Sequence, residues 1–99
     1  MLYAIIGREA PDALERRRLA RPAHFARIRR LADEGRLVLA GPMPAVDSAD
    51  PGPAGFSGSL VVAEFDSLEA AREFAAGDPY VTGGVFSGID VRPFVQVAP

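Results

Sequence analysis

The chain has 99 residues, of which 48% are hydrophobic, and a formal net charge of −2. This length predicts one small globular domain over residues 1–99, and the charge gives no reason to expect nucleic acid or an anionic membrane as a partner. The absence of cysteine excludes disulfides, thiolate metal sites and thiol nucleophiles.

The N-terminal half predicts two strands with a broken helical segment between them. Residues 2–6 are an apolar run ended by Gly7, as in a central strand. They are too few for a signal peptide, and no later run could span a bilayer, so we expect a cytoplasmic protein. Asp12 is expected to cap a short helix through about residue 20. Pro22 then begins a second helix that ends near residue 34 before Gly35, and residues 36–40 form the second strand.

The charged and apolar residues of this helical segment carry two further expectations. Leu14 and Leu19 are predicted to be the apolar contacts of the first helix. Seven arginines lie between residues 16 and 30 without an aromatic ladder, and we interpret them as a solvated helix face.

Residues 42–58 are rich in proline and glycine and contain turn-forming Asp47 and Asp50. A connection this long is uncommon in a small domain unless it is functional or disordered. Because the prolines stiffen it and it contains apolar residues, we expect an ordered flap, which could cover a binding pocket, or an extended hairpin.

The C-terminal half predicts two strands around a second helix. Residues 58–65 form the third strand, and Asp66 stands three residues before Glu69, a capping-box spacing at the start of a helix over residues 68–76. Asp78 and Pro79 have the pattern of a cap and first turn of a short extra helix. Residues 85–97 supply the last strand, in which Pro93 favours an edge or a bulge.

This order, β-α-β-β-α-β, predicts an α+β, ferredoxin-like fold with a four-stranded antiparallel sheet and both helices on one face. The first and third strands are apolar on both sides, although two helices can cover only one face. The other face needs a cover, and a second copy of the chain is the simplest one, so we expect a homodimer.

His24 is the only histidine, and it shares a helical face with Ile28 and Leu31. A structural histidine at the edge of the core is the common outcome for such a residue. The alternative is acid–base chemistry with a carboxylate partner.

Four aspartates could serve as that partner. Asp33 lies about 180° around the helix from His24, and Asp47 and Asp50 are more typical of turns. Asp78 follows the second helix, which lies beside the first. It can cap a turn and orient an imidazole at the same time.

Other chemistry has little support. No Gly-x-Ser-x-Gly elbow, metal-ligand spacing or phosphate-binding loop is present, so we expect neither a metal nor a cofactor. Arg21, three residues before His24, could hold an anionic group of a substrate. Ser59 and Tyr80 could line the pocket.

The chain also resembles the YCII-related domain family along almost its whole length. The segments that carry the resemblance are residues 2–3, 21–24, 33–37, 40–48, 50–52, 54–56, 64–65, 67–71, 78–81 and 84–85. The resemblance implies a ferredoxin-like fold that pairs into a dimeric α/β barrel, with His24 and Asp78 as a pair in a pocket. Some relatives are cofactor-free enzymes acting on hydroxylated or chlorinated aromatic rings.

Two functions follow from these expectations. The first is a cofactor-free enzyme, of lyase, isomerase or hydrolase-like type, that performs proton abstraction or elimination on a small carbonyl or phenolic substrate. The alternative is a non-catalytic dimeric module that binds a small ligand or regulates a partner. Turnover requires the chemistry of His24, whereas binding alone tolerates its loss.

Overall fold

A computed structural model describes all 99 residues. The strands are β1 (Leu2–Glu9), β2 (Leu37–Pro44), β3 (Phe56–Glu64) and β4 (Phe86–Phe94). The helices are α1 (Leu14–Asp33), α2 (Leu68–Ala76), α3 (Pro79–Thr82) and a short 3-10 helix (Gly52–Ala54). None of the helices combines the length and the hydropathy that a membrane crossing requires.

The four strands form one antiparallel sheet in the order β2-β3-β1-β4. This is the predicted ferredoxin-like arrangement, with α3 as the short extra helix, and the fold prediction is confirmed. The two most apolar strands, β1 and β3, are central. β4 lies at an edge of the sheet, where Pro93 removes no hydrogen bond that a second neighbouring strand would need.

The break predicted at Pro22 is wrong, because residues 14–33 form a single helix with Pro22 inside it. Pro22 is exposed, so water can reach the Arg18 carbonyl that has lost its usual donor. Buried side chains hold α1 against the rest of the protein both before and after Pro22, and this packing outweighs the local cost. His24 consequently lies in the middle of α1, away from both ends of that helix.

The start of α1 also differs from the prediction. Asp12 does not cap the helix, because its φ of 53° places it in a left-handed turn that aspartate tolerates better than most residues. The N-cap is Ala13, which provides no side-chain hydrogen bond. Leu14 lies against Gly55 of the β2–β3 connection. Leu19 is 66% exposed, so its predicted burial is wrong.

The other helix ends follow their local chemistry. Gly35 has a φ of 72°, and the N–H groups of Gly35 and Arg36 donate to carbonyls of the last turn of α1, as in a Schellman motif. Ser67, not Asp66, caps α2 by accepting from the N–H of Ala70, so no capping box forms with Glu69.

The proline- and glycine-rich segment forms the extended hairpin. β2 runs to Pro44 and β3 begins at Phe56, and the N–H of Ala45 donates to the carbonyl of Gly55 beyond the last strand pair. The connection folds back as a 3-10 helix and packs through Gly55 onto the start of α1.

The sheet has one covered face and one open face. Side chains on the covered face, with α1 and α2, form the main core: Tyr3, Ile5, Ile28, Leu31, Val61, Ala63, Phe65, Ala71 and Ala75. The strand pairing places the alternate residues on the opposite face: Leu2, Ala4, Ile6, Leu39, Leu60, Val62 and Phe94. No helix packs on this second group, in which Leu39 is 48% and Phe94 39% exposed, whereas Val62 in the middle of the sheet is only 4% exposed.

Candidate active site

His24 and Asp78 meet where the middle of α1 passes the junction between α2 and α3. The Nδ1 atom of His24 lies 2.8 Å from Oδ1 and 2.9 Å from Oδ2 of Asp78. An ionised carboxylate can only accept hydrogen bonds, so the proton of this contact belongs to Nδ1. In the neutral ring, Nε2 then carries a lone pair.

Asp78 is held by more than the histidine. It is 6% exposed, and its Oδ1 accepts from the backbone N–H of Tyr80 at 2.8 Å, so it also caps α3 as predicted. The Nη1 atom of Arg27 lies 3.4 Å from Oδ2 and is the one buried side-chain nitrogen without a well-formed hydrogen bond. These contacts fix the carboxylate before any ligand arrives.

The imidazole plane is fixed by Tyr80. The two rings are stacked, with centroids 3.8 Å apart and an angle of 8° between their planes. Phe86 contacts the Tyr80 ring edge-on, at 5.4 Å and 84°. His24 therefore has little freedom to rotate away from Asp78.

A cleft of about 300 Å³ opens beside His24, between α1 and the β2–β3 side of the sheet. It is lined by Arg17, Arg21, His24, Phe25, Ile28, Leu37, Ala40, Gly41, Pro42, Ser59, Leu60, Val61 and Tyr80. The Nε2 atom of His24 has no hydrogen-bond partner within the chain, and it is not sealed from solvent. The lone-pair side of the ring is therefore available to a molecule in the cleft.

Arg17 corrects the interpretation of the arginine run as a solvated face. It is only 7% exposed, and it donates from Nε and Nη2 to the two carboxylate oxygens of Glu9, at 2.9 and 2.8 Å. Its Nη2 also donates to Ser59 Oγ at 3.1 Å. The guanidinium lies 4.6 Å from the centroid of Phe56 and 4.7 Å from that of Tyr80.

The charge states near the cleft follow from these contacts. Burial acts to lower the pKa of Arg17, but the hydrogen bonds and charge of Glu9, together with smaller contributions from Tyr80, more than compensate, so the net shift is upward. Burial raises the pKa of Tyr80, and the positive charges of Arg17 and Arg21 offset this only in part. At neutral pH the cleft therefore contains a charged Arg17 and a protonated Tyr80 hydroxyl.

Comparison with known proteins places the chain in a family. The model of the YCII-related domain matches residues 1–95. The chain belongs to the YCII-related domain family. It is 59% identical to Protein YciI of Escherichia coli O6:H1 over 97 residues, which cover 98% of this chain and 99% of that protein. It is 46% identical over 97 residues to an uncharacterized protein of Haemophilus influenzae, with the same coverage.

A solved structure shares the fold. The 5-chloro-2-hydroxyhydroquinone dehydrochlorinase of Burkholderia phenoliruptrix, in complex with 2,5-dihydroxybenzoquinone, superposes with a TM-score of 0.83. The match covers 97% of this chain and 95% of the dehydrochlorinase, at 23% sequence identity. At that identity, the similarity is evidence of a shared fold only.

The residues singled out from the sequence fall into two groups in this YCII-related chain. Arg21, Ser59 and Tyr80 line the cleft beside His24, with Arg21 exposed at its mouth and Ser59 buried. The three aspartates weighed against Asp78, namely Asp33, Asp47 and Asp50, are all exposed and none lines the cleft. No group of three His, Asp or Glu side chains is arranged to hold a metal ion.

The sequence interpretation missed Arg17 and Glu9. A signal for Arg17 existed, since it lies seven residues before His24 and so on the same helical face. The predicted break at Pro22 separated the two positions and concealed that relation.

Proposed function

We propose that the protein is a cofactor-free small-molecule enzyme in which His24 and Asp78 act as an acid–base pair. The observation that carries the proposal is that the two ring nitrogens of His24 differ: Nδ1 is bound by Asp78, whereas Nε2 has no partner within the chain, and the residue lines an open cleft. A general base needs such a free nitrogen within reach of the substrate proton.

In this mechanism, Nε2 of neutral His24 removes a proton from a carbon or hydroxyl group of a small carbonyl or phenolic substrate. The Asp78 carboxylate stabilises the resulting imidazolium without taking up the proton, as the aspartate of a catalytic triad does. His24 then returns the proton to another atom of the substrate, which is isomerisation, or to a leaving group, which completes an elimination.

The lining of the cleft supports a small, mostly apolar substrate. Phe25, Ile28, Pro42 and Val61 provide apolar walls, and the polar groups are few and lie near His24. The solved enzyme of the same fold is a dehydrochlorinase of 5-chloro-2-hydroxyhydroquinone, a chlorinated and hydroxylated ring. That is one chemistry the fold can accommodate, and it is consistent with the class of substrate proposed here.

We also propose that the working form is a homodimer that pairs through the open sheet face, as the dimeric α/β barrel implied by the family resemblance would require. The support is the row of apolar side chains on the outer surface of β1 and β3 and the exposure of Leu39 and Phe94. A chain of 99 residues gains stability by burying such a surface. The cytoplasmic location expected from the sequence stays a prediction.

The rival function is a module that binds a small ligand without turning it over. The test begins with a screen for small carbonyl and phenolic compounds that raise the melting temperature, since a ligand of the folded state stabilises it. Each hit is then incubated in D2O, and exchange of its carbon-bound hydrogens is followed by NMR.

We expect wild-type protein to accelerate exchange in at least one hit. We expect His24→Gln to bind that hit but to exchange it roughly 10²–10⁴-fold more slowly. Arg72→Gln, at an exposed arginine outside the cleft, is the matched control and should exchange at the wild-type rate. Binding without exchange in the wild-type protein would favour the module.

A further inference from the structure

Two buried side chains that line the cleft, Arg17 and Tyr80, each keep a hydrogen-bond donor without a well-formed acceptor. The first is Nη1 of Arg17. Glu9 and Ser59 take the hydrogen bonds of Nε and Nη2, whereas Nη1 makes none and is not sealed from solvent. The side chain is more than nine-tenths buried and lines the cleft.

The second donor is the hydroxyl of Tyr80. Tyr80 is 2% exposed, and burial raises the pKa of its hydroxyl, whereas a hydrogen bond from Arg17 acts to lower it. Because a guanidinium can only donate, this contact uses a lone pair of the hydroxyl oxygen and leaves the hydroxyl proton without an acceptor. The hydroxyl oxygen is not completely enclosed by the protein, so it contributes to the small exposed area of Tyr80. A buried polar group without a partner costs free energy, and a ligand that supplies the acceptor removes that cost.

The charges of the cleft wall all have one sign. The basic side chains that line it are Arg17, Arg21 and His24, and no Asp or Glu lines it. Glu9 is paired with Arg17 and Asp78 with His24, and neither carboxylate lines the cleft. With Arg27, which contacts Asp78, the site contains three arginines (Arg17, Arg21 and Arg27) and two carboxylates (Glu9 and Asp78). One positive charge is therefore in excess, and a single negative charge on a ligand balances it.

We propose that Arg17 Nη1 and the Tyr80 hydroxyl hold the anionic oxygen of a flat, apolar monoanion, a small aromatic carboxylate or phenolate. The proposal rests on the proposed function for its substrate role, and it names the chemical class on which His24 acts. Arg17 and Tyr80 are binding residues, and Arg21 at the mouth of the cleft adds attraction at longer range.

The arrangement makes Arg17 a better anchor than Arg21. Glu9 holds the guanidinium in place through two hydrogen bonds, so little side-chain freedom is lost when the anion binds. Arg21 is exposed and makes no hydrogen bond or ion pair within the chain, so solvent screens its charge. We therefore expect the selectivity for anions to depend on Arg17 and Tyr80 more than on Arg21.

The test is calorimetric binding of paired probes to the full-length protein. Benzoate is compared with benzamide, and 4-nitrophenolate with 4-nitroanisole, so that each anion has a neutral counterpart of similar shape. We expect at least one anion to bind about tenfold more tightly than its neutral counterpart, as a charge-assisted hydrogen bond predicts. The pair that shows the preference distinguishes a carboxylate from a phenolate.

Two variants assign the preference to residues. Tyr80→Phe keeps the ring stacked on His24 and removes only the hydroxyl, and we expect it to weaken anion binding roughly fivefold while leaving the neutral probe unchanged. The double variant Glu9→Gln/Arg17→Met removes both buried charges together and should abolish the preference. Arg21→Gln should weaken the anion only about twofold, and Arg72→Gln should change nothing.

The proposal is overturned if neither anion binds with a preference, or if Tyr80→Phe and the double variant keep the wild-type preference. Should the double variant not fold, the Tyr80→Phe result decides alone. Repeating the measurement with His24→Gln separates this inference from the proposed function. The anion preference should persist in that variant, whereas the hydrogen exchange described above should be lost.

Discussion

At the scale of residues, the buried pair of Arg17 and Glu9 is the feature with the largest energetic consequence. Their side chains are 9% and 8% exposed. Removing one member leaves the other charge buried and unpaired, which costs about 3–5 kcal/mol. We expect Glu9→Gln and Arg17→Met each to lower the free energy of unfolding by about 3 kcal/mol.

Denaturant unfolding of a double-mutant cycle measures this coupling. We expect the double variant to be much more stable than the sum of the two single losses predicts, because no lone charge remains buried. Arg18 and Glu15 form the matched control, with the same two hydrogen bonds on the exposed surface of α1. Glu15→Gln should leave stability unchanged, and additive losses at Glu9 and Arg17 would contradict the assigned pairing.

At the scale of elements, the contact between β1 and β3 depends on Gly58. A Cβ atom there would stand 1.9 Å from the carbonyl oxygen of Gly7, so Gly58→Ala must push the two central strands apart. We expect a loss of about 3 kcal/mol in the free energy of unfolding, the upper part of the range for overpacking.

Gly41→Ala on β2 is the matched control for this prediction. No atom lies within 4 Å of a Cβ at Gly41, and its φ is not positive. Thermal unfolding of the two variants is the measurement. Equal melting temperatures would show that the central strands are not as close at Gly58 as described.

The helices show why some elements could be predicted from sequence and others could not. α2 and α3 were located correctly because their signals, Gly77 and the Asp78–Pro79 pair, act on the backbone nearby. α1 was not, since local rules at Pro22 favour a break and only packing that is distant in sequence overrides them.

The contacts of the candidate site also differ in whether the sequence could predict them. The contact between His24 and Asp78 could be anticipated, because the split βαβ topology places the two helices side by side and Asp78 follows the second. Arg17 could not, because its partner Glu9 lies at the end of β1 and only the folded sheet brings it beside α1. An arginine within a run of arginines is indistinguishable from its solvated neighbours until that partner is known.

At the scale of the whole molecule, the open sheet face predicts association. Light scattering at micromolar concentration should give about twice the 10.5 kDa mass of the chain. Leu39→Glu introduces a charge on the open face and should produce a monomer, since an unpaired charge in an interface is costly. Leu19→Glu, at an exposed leucine of α1, is the control and should remain dimeric. A wild-type monomer would remove the dimer proposal.

The proton on the His24 ring is the central feature of the proposed site. Because His24 is the only histidine, its two ring nitrogens can be observed by ¹⁵N NMR without ambiguity. Asp78→Asn should weaken the hold on Nδ1–H, so the neutral ring should lose its preference for the tautomer with the proton on Nδ1. Asp33→Asn, on the exposed end of α1, should leave the spectrum unchanged.

The most direct single measurement is the ¹⁵N spectrum of neutral His24 in the wild-type protein. We expect Nδ1 to show the chemical shift of a protonated nitrogen and Nε2 that of an unprotonated one, because Asp78 accepts from Nδ1 and Nε2 has no partner within the chain. A proton on Nε2 in the neutral ring would contradict this, because His24 could then not act as a base toward the cleft.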